Sequence, residues 1–230
     1  MIFPQNHTYR SENISNHDLL ENELVITAKL PAEHRGQIPD WSNLSEEQIA
    51  FIDQQNSSDE ITFKYRGVET LLSLRSQNSL QSAFSEFRNI LLDITSLRHS
   101  IWAPIVKFCF DAESINLRVM YVEPSSYAKH PSPSSENVFD LTKKFEGMKP
   151  IPGFVKLTSR TNSSSDLFIT MLGFEGNRPR RLLADIEPLP KVIPIIGVSG
   201  FKVEYPTFTI TCNRELLEEL NAFSDIRLAR

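Results

Sequence analysis

Asp93, Thr95, Ser96 and Arg98 interrupt the apolar run of NILLDITSLRHSIWAPI, and their types suit chemistry at a strand end. A hydroxyl at the start of a helix accepts a backbone N–H, and the remaining N–H groups and the helix dipole favour an anion such as a phosphate. The spacing leaves two expectations open. Thr95 or Ser96 caps the next helix while Asp93 closes a turn, or the hydroxyls hold a phosphate while Asp93 orients a ribose hydroxyl or a water.

A second set lies in GFEGNRPRR: Gly173, Glu175, Gly176, Asn177 and Arg178. The glycines let the backbone pass close to another group or take positive φ. Asn177 is the expected N-cap before Pro179. Arg178, Arg180 and Arg181 at that helix start oppose the dipole unless an anion or carboxylate lies near. Glu123 follows a third apolar run and Ser199 a fourth. Should Glu123 point towards Glu175 and Asp93, three carboxylates would meet, raising one pKa or drawing in a divalent cation. No metal ligand is assigned. His99 and His130 stand without a Cys or His at ligand spacing and read as surface or capping residues. There is no GxSxG, no GxGxxG and no Gly-Lys-Ser/Thr phosphate loop.

These groups need strands and helices to position them. Residues 1–22 read as irregular, and residues 23–230 as one Rossmann-like α/β domain, a mostly parallel sheet flanked by helices. LVITAKLP, ITFKYR, NILLDI, LRVMYVEP, DLFITML, KVIPIIGV and TFTITC read as strands. Helices are predicted for EEQIAFIDQQ, capped by Ser42 or Ser45, for pieces around 68–72 and 80–87, for 97–108, for PRRLLADIE and for RELLEELNAF. LTKKFEGM carries a possible turn of helix, and SSYAKHPSPSSEN reads as a linker. Pro104 weakens its helix and Pro194 sits awkwardly in a central strand. In such sheets ligands gather beyond the carboxyl ends of the strands, which is where the polar sets emerge. The chain ends soon after its last helix begins to bury leucines, so it reads as a piece of a longer protein.

Composition narrows the function. The 230 residues are 40% hydrophobic and 23% charged, with net charge −5. An acidic chain is a poor duplex binder, so no duplex nucleic acid is expected. The two cysteines make no disulfide framework, there is no signal-peptide pattern, and no run approaches the roughly eighteen apolar residues of a membrane span. A cytoplasmic protein without a membrane partner is expected.

A strand ending in Asp-hydrophobic-Thr, then a small polar turn and a helix, as in DITSLRHSIWAPI, resembles the nucleotide-sensing domains of the CRISPR-associated Rossmann fold (CARF) group. The likeness spans about forty residues, and a match of fold is not a match of function. Ser96-Leu97-Arg98 stands where that group has Gly-Gly-Thr-Lys. The resemblance implies a cyclic oligoadenylate at the strand ends, a dimer, and a place in antiviral defence. GFEGNR also resembles segments of bacterial α/β proteins found near defence genes.

Three readings follow. The first is a sensor of a nucleotide or phosphorylated small molecule, held by Thr95, Ser96 and Arg178 with Asp93 and Glu175 on sugar or base. The second is a metal-assisted nucleotide or phosphodiester hydrolase using the same acids. The third is a non-catalytic protein-interaction subunit, in a homodimer or a larger complex. No cofactor is named.

Overall fold

ELVITA forms a strand buried on both faces, β1 (Glu23–Ala28), because its apolar residues are continuous rather than alternating. Leu24, Val25 and Ile26 are all but sealed from solvent. The computed structural model describes residues 19–30, 41–54, 59–112, 114–124, 126–134, 138–141, 149–154, 166–198 and 200–229. The chain divides into two compact units, Met1–Val122 with Pro150–Val155, and Glu123–Lys149 with Lys156–Arg230. Each has its own sheet.

The first unit adds β2 (Ile49–Asp53), β3 (Glu60–Tyr65), β4 (Val68–Ser73), β5 (Asn89–Asp93) and β6 (Asn116–Met120), with helices α1 (Gln77–Phe84) and α2 (His99–Asp111). The strand order is β4-β3-β2-β1-β5-β6. β1 runs parallel to β2 and β5, and β5 parallel to β6, while β3 and β4 add an antiparallel edge. One face packs Leu24, Ile26, Ile52, Ile90 and Leu92 with Phe84 of α1 and Ile101, Ile105 and Phe108 of α2. The other face packs Val25, Ile49, Leu91 and Met120 with Trp41 and Leu44.

Two predicted helices of this unit are strands. EEQIAFIDQQ supplies β2, not a helix: Ile49, Ala50 and Ile52 are buried beside β1 in the register Val25↔Ile49. Isoleucine and phenylalanine suit a pleated, buried surface, and that pairing outweighs the helical pattern. Ser45 donates to Gln48 Oε1 (3.1 Å) instead of capping a helix. Val68–Ser73 returns as β4 because Arg66 and Gly67 take φ of 50° and 74° and close a hairpin with β3. The second predicted piece is α1, burying Leu80 and Phe84. Pro104 lies inside α2.

The second unit holds β7 (Leu167–Met171), β8 (Lys191–Gly197) and β9 (Arg227–Ala229), all parallel in that order. Its helices are α3 (Asn177–Ala184), α4 (Tyr205–Cys212) and α5 (Arg214–Glu219). TFTITC lies in α4 and is not a strand; Pro206 sits in its first turn and Thr209 and Cys212, three residues apart, are buried. β9, three residues long, is too short to stand out in the sequence. Pro194 is tolerated in β8 by register. Leu172 N–H reaches Ile195 O (2.9 Å), so Ile195 faces β7 and Pro194 faces the other side, where pairing with β9 starts only at Ile195↔Arg227. Phe168, Val192 and Ile196 pack against Leu183, Leu216 and Leu217 of the helices.

Lys129, in the segment read as a linker, forms an antiparallel bridge with Phe139 just beyond it. The predicted helical turn in LTKKFEGM and most of the N-terminal segment lie outside the described residues. No helix of the described residues is long and apolar enough to cross a membrane.

Candidate functional site

The carboxyl edge of the first sheet carries a closed polar network. β1, β2 and β5 end side by side, so Thr27, Gln54 and Asp93 emerge next to one another. Asp93 is fully buried. Its Oδ2 accepts the Thr27 hydroxyl (2.8 Å), and its Oδ1 accepts the N–H groups of Thr95 (3.0 Å) and Ser96 (3.4 Å). Ser96 Oγ stands 3.0 Å from Thr27 Oγ1 and also donates to the Asp93 carbonyl (3.3 Å). Ser96 Oγ in turn accepts Ala28 N–H at 3.0 Å. Thr95 Oγ1 accepts Val122 N–H (2.7 Å), tying the turn to the chain beyond β6.

Neither Thr95 nor Ser96 caps α2, which corrects that expectation. The N-cap is Arg98, with no side-chain cap bond of its own. Gln54 does that work from the end of β2: its Oε1 accepts Arg98 N–H (2.9 Å) and its Nε2 donates to the carbonyls of Leu30 (3.1 Å) and Ser96 (3.0 Å). A buried polar cluster is stable when every member is paired, and this one fastens three strand ends and a helix start.

In the second unit the glycine turn serves close packing. A Cβ on Gly176 would lie 2.0 Å from the Cys212 carbonyl oxygen, while one on Gly173 would meet nothing within 4 Å. Asn213, fully buried after α4, donates from Nδ2 to the carbonyls of Gly173 and Thr209, both at 2.7 Å. Gly176 is the N-cap of α3, so Asn177 is the first helical residue rather than the cap. The arginines find carboxylates: Arg178 stands 3.8 Å from Glu175, and Arg180 3.1 Å from Glu219 and 3.7 Å from Glu215. Glu175 Oε1 also accepts Leu141 N–H (2.9 Å).

Glu123 anchors an aromatic group. Its Oε1 accepts the hydroxyls of Tyr127 (2.8 Å) and Tyr205 (3.0 Å). The two tyrosine rings pack edge-on with Phe174, at centroid distances of 5.3 and 5.1 Å, and Phe139 and Phe208 extend the group.

Asp93, Thr95, Ser96 and Arg98 thus belong to the first unit. Glu123, Gly173, Glu175, Gly176, Asn177 and Arg178 belong to the second. Ser199 lies outside the described residues. Among the described residues no group of three or more His, Cys, Asp or Glu side chains is arranged to hold a metal ion. Sequence reasoning misses Thr27, Gln54, Tyr127, Tyr205 and Asn213. A polar residue closing each of the apolar strands β1 and β2 is the available signal for the first two; Tyr205 and Gly173, the remote partners of Glu123 and Asn213, lie 82 and 40 residues away and leave no local signal. His130 Nδ1 contacts Ser132 in a surface turn, and the His99 ring lies tilted against Trp102, centroids 5.2 Å apart.

Both cysteines are buried and unpaired. Burial pushes the Cys109 thiol up to about 12. Burial also raises Cys212, opposed by a hydrogen bond with the Val138 backbone. Thiols held in the protonated form are poor nucleophiles. Comparison with family models, with curated proteins and with solved structures returns no match.

Proposed function

We propose that this chain is a non-catalytic protein-interaction subunit that pairs with a second copy of itself through the outer face of β7 and β8. The observation that carries it is the exposure of Leu167 (51%), Ile169 (59%) and Met171 (72%), which alternate along β7 and share one face. Ile193 and Ile195 of β8 lie beside them in register. Parallel sheets are ordinarily covered on both faces, and a contiguous apolar patch on a surface marks an interaction site. A second copy fits because a two-fold contact needs a self-complementary patch. No charged side chain lies between Leu167 and Met171, and Lys191 at the margin is paired with Asp225 (3.7 Å).

Light scattering on the intact chain tests this. A dimer that Ile169→Glu converts to monomer supports the reading. A wild-type monomer, or a dimer indifferent to Ile169→Glu, removes it.

A second reading draws on the Asp93 turn at the carboxyl end of the parallel strands, the position at which Rossmann-like sheets bind ligands. As a nucleotide sensor of the CARF kind, the chain would have to free Thr95 Oγ1 from Val122 and Ser96 Oγ from Ala28. A thermal-shift panel of nucleotides and cyclic oligoadenylates checks it: a rise with one class, lost in Thr95→Ala with Ser96→Ala, favours the sensor, and a flat panel disposes of it. Two unpaired buried thiols suit a reducing, cytoplasmic setting in either case.

A further inference from the structure

We propose that the first unit carries a binding site for an amphipathic monocarboxylate, with its head between Arg75 and Lys107 and its hydrocarbon tail along the outer face of α2. The proposal is independent of the dimer reading, since it concerns the other unit.

Two cavities lie against α2 and share Lys107. The first, about 200 Å³, is lined by Arg75, Gln77 and Lys107 over a floor that includes Leu80, Pro104 and Phe108. Its lining contains two cations and no acid. The second, about 440 Å³, is lined by Trp102, Val106, Phe110, Ile151 and Phe154, with Lys107 and Asp111 at its rim. Sites for small molecules span roughly 300–1,000 Å³, are mainly apolar and hold a few placed polar groups.

The head end is cationic in a way that leaves donors over. Asp59 meets Arg75 at Nε, at 2.8 Å, and no second partner residue of Arg75 is present among the described residues. The guanidinium fork is the geometry that grips a carboxylate through two parallel hydrogen bonds. Lys107 gives one of its three protons to Asp111 at 2.7 Å. At the tail end, Phe110 is 60% and Phe154 50% exposed, two large rings whose apolar surface the unit's own core leaves uncovered. Cations at one end and rings at the other match a molecule with one negative charge and an unbranched apolar chain.

Isothermal titration of the full chain with decanoate, kept below its micelle concentration, tests the site, with decanol and decyltrimethylammonium as charge controls. Decanoate is expected to bind with Kd below about 0.1 mM, and decanol and the ammonium at least about tenfold more weakly. Arg75→Gln with Lys107→Met should weaken decanoate about tenfold or more, and Phe110→Glu should do the same from the tail end. Arg75 and Phe110 are more than half exposed and Lys107 is 38% exposed, so circular dichroism should show each variant folded; Arg75→Gln alone serves if the double variant is not. The proposal fails if decanoate gives no binding, if decanol binds equally well, or if the variants bind like the wild type. Retention on phosphatidic-acid vesicles without binding of monomeric decanoate would assign the surface to a membrane headgroup, and would also overturn it.

Discussion

Thr27 and Asp93 lie 66 residues apart in the chain and 2.8 Å apart in space, the hydroxyl of one donating to the carboxylate of the other at the ends of adjacent parallel strands. Asp93→Ala removes a buried acceptor that serves one hydroxyl and two backbone N–H groups, leaving the N–H groups of Thr95 and Ser96 without it and Thr27 with Ser96 Oγ alone. The expected loss is about 3–5 kcal/mol in urea unfolding, with about 1–3 kcal/mol for Thr27→Val. An Asp93→Ala protein as stable as the wild type would show that the network is not what holds the strand ends.

The turn before α3 separates two glycines that look alike in sequence. Gly176→Ala places a methyl group 2.0 Å from the Cys212 carbonyl, so backbone must move, and a loss of roughly 1–3 kcal/mol or more is expected. Gly173→Ala meets open space and should change stability by less than about 0.5 kcal/mol. Thermal melts of the two variants side by side measure the difference, and equal losses would contradict the close approach of Gly176 to Cys212.

On the outer face of β7, Met171→Glu should act like Ile169→Glu. Both side chains are more than half exposed in one chain, so a charge there leaves the fold stable and acts on assembly alone. Sedimentation velocity over a concentration series should show a weakened association for each, while Phe168→Glu, on the helix-covered face, should unfold the unit instead.

The thiols give a pH dependence with a definite sign. With a pKa of about 12, Cys109 is ionised to about one part in ten thousand at pH 8, so a disulfide reagent should modify it only after denaturation. In the unfolded chain it loses its proton near 9, the ordinary value, while the folded chain keeps it until about 12. Its contribution to stability is whole below pH 9 and is lost as the pH climbs from there to 12, by about 1.4 kcal/mol per pH unit. Cys109→Ala should flatten the alkaline limb of the stability curve, and an unchanged limb would count against the thiol as its source.

Where strands are buried on both faces the chain announces them. ELVITA and NILLD carry unbroken apolar runs, and only a strand between two layers makes use of every residue in such a run. Helix α2 is equally plain from Ile101, Ile105 and Phe108 at helical spacing. IAFID and TFTITC mislead because a five- or six-residue stretch of mixed pattern fits either period. β1 decides the first by offering an open parallel edge; the second becomes a helix, with Pro206 in its first turn and Thr209 and Cys212 buried on one side.

The sequence by itself determined the α/β class, the acidic net charge and the emergence of polar residues at strand ends, because these depend on composition and on periods of two to four residues. Only the tertiary structure decided what those polar residues do. Whether Asp93 is open to a ligand turns on Thr27, whether Ser96 is free turns on Ala28, and whether α2 is capped turns on Gln54. Each partner comes from a strand end remote in sequence, brought alongside by pairing that short-range spacing does not encode.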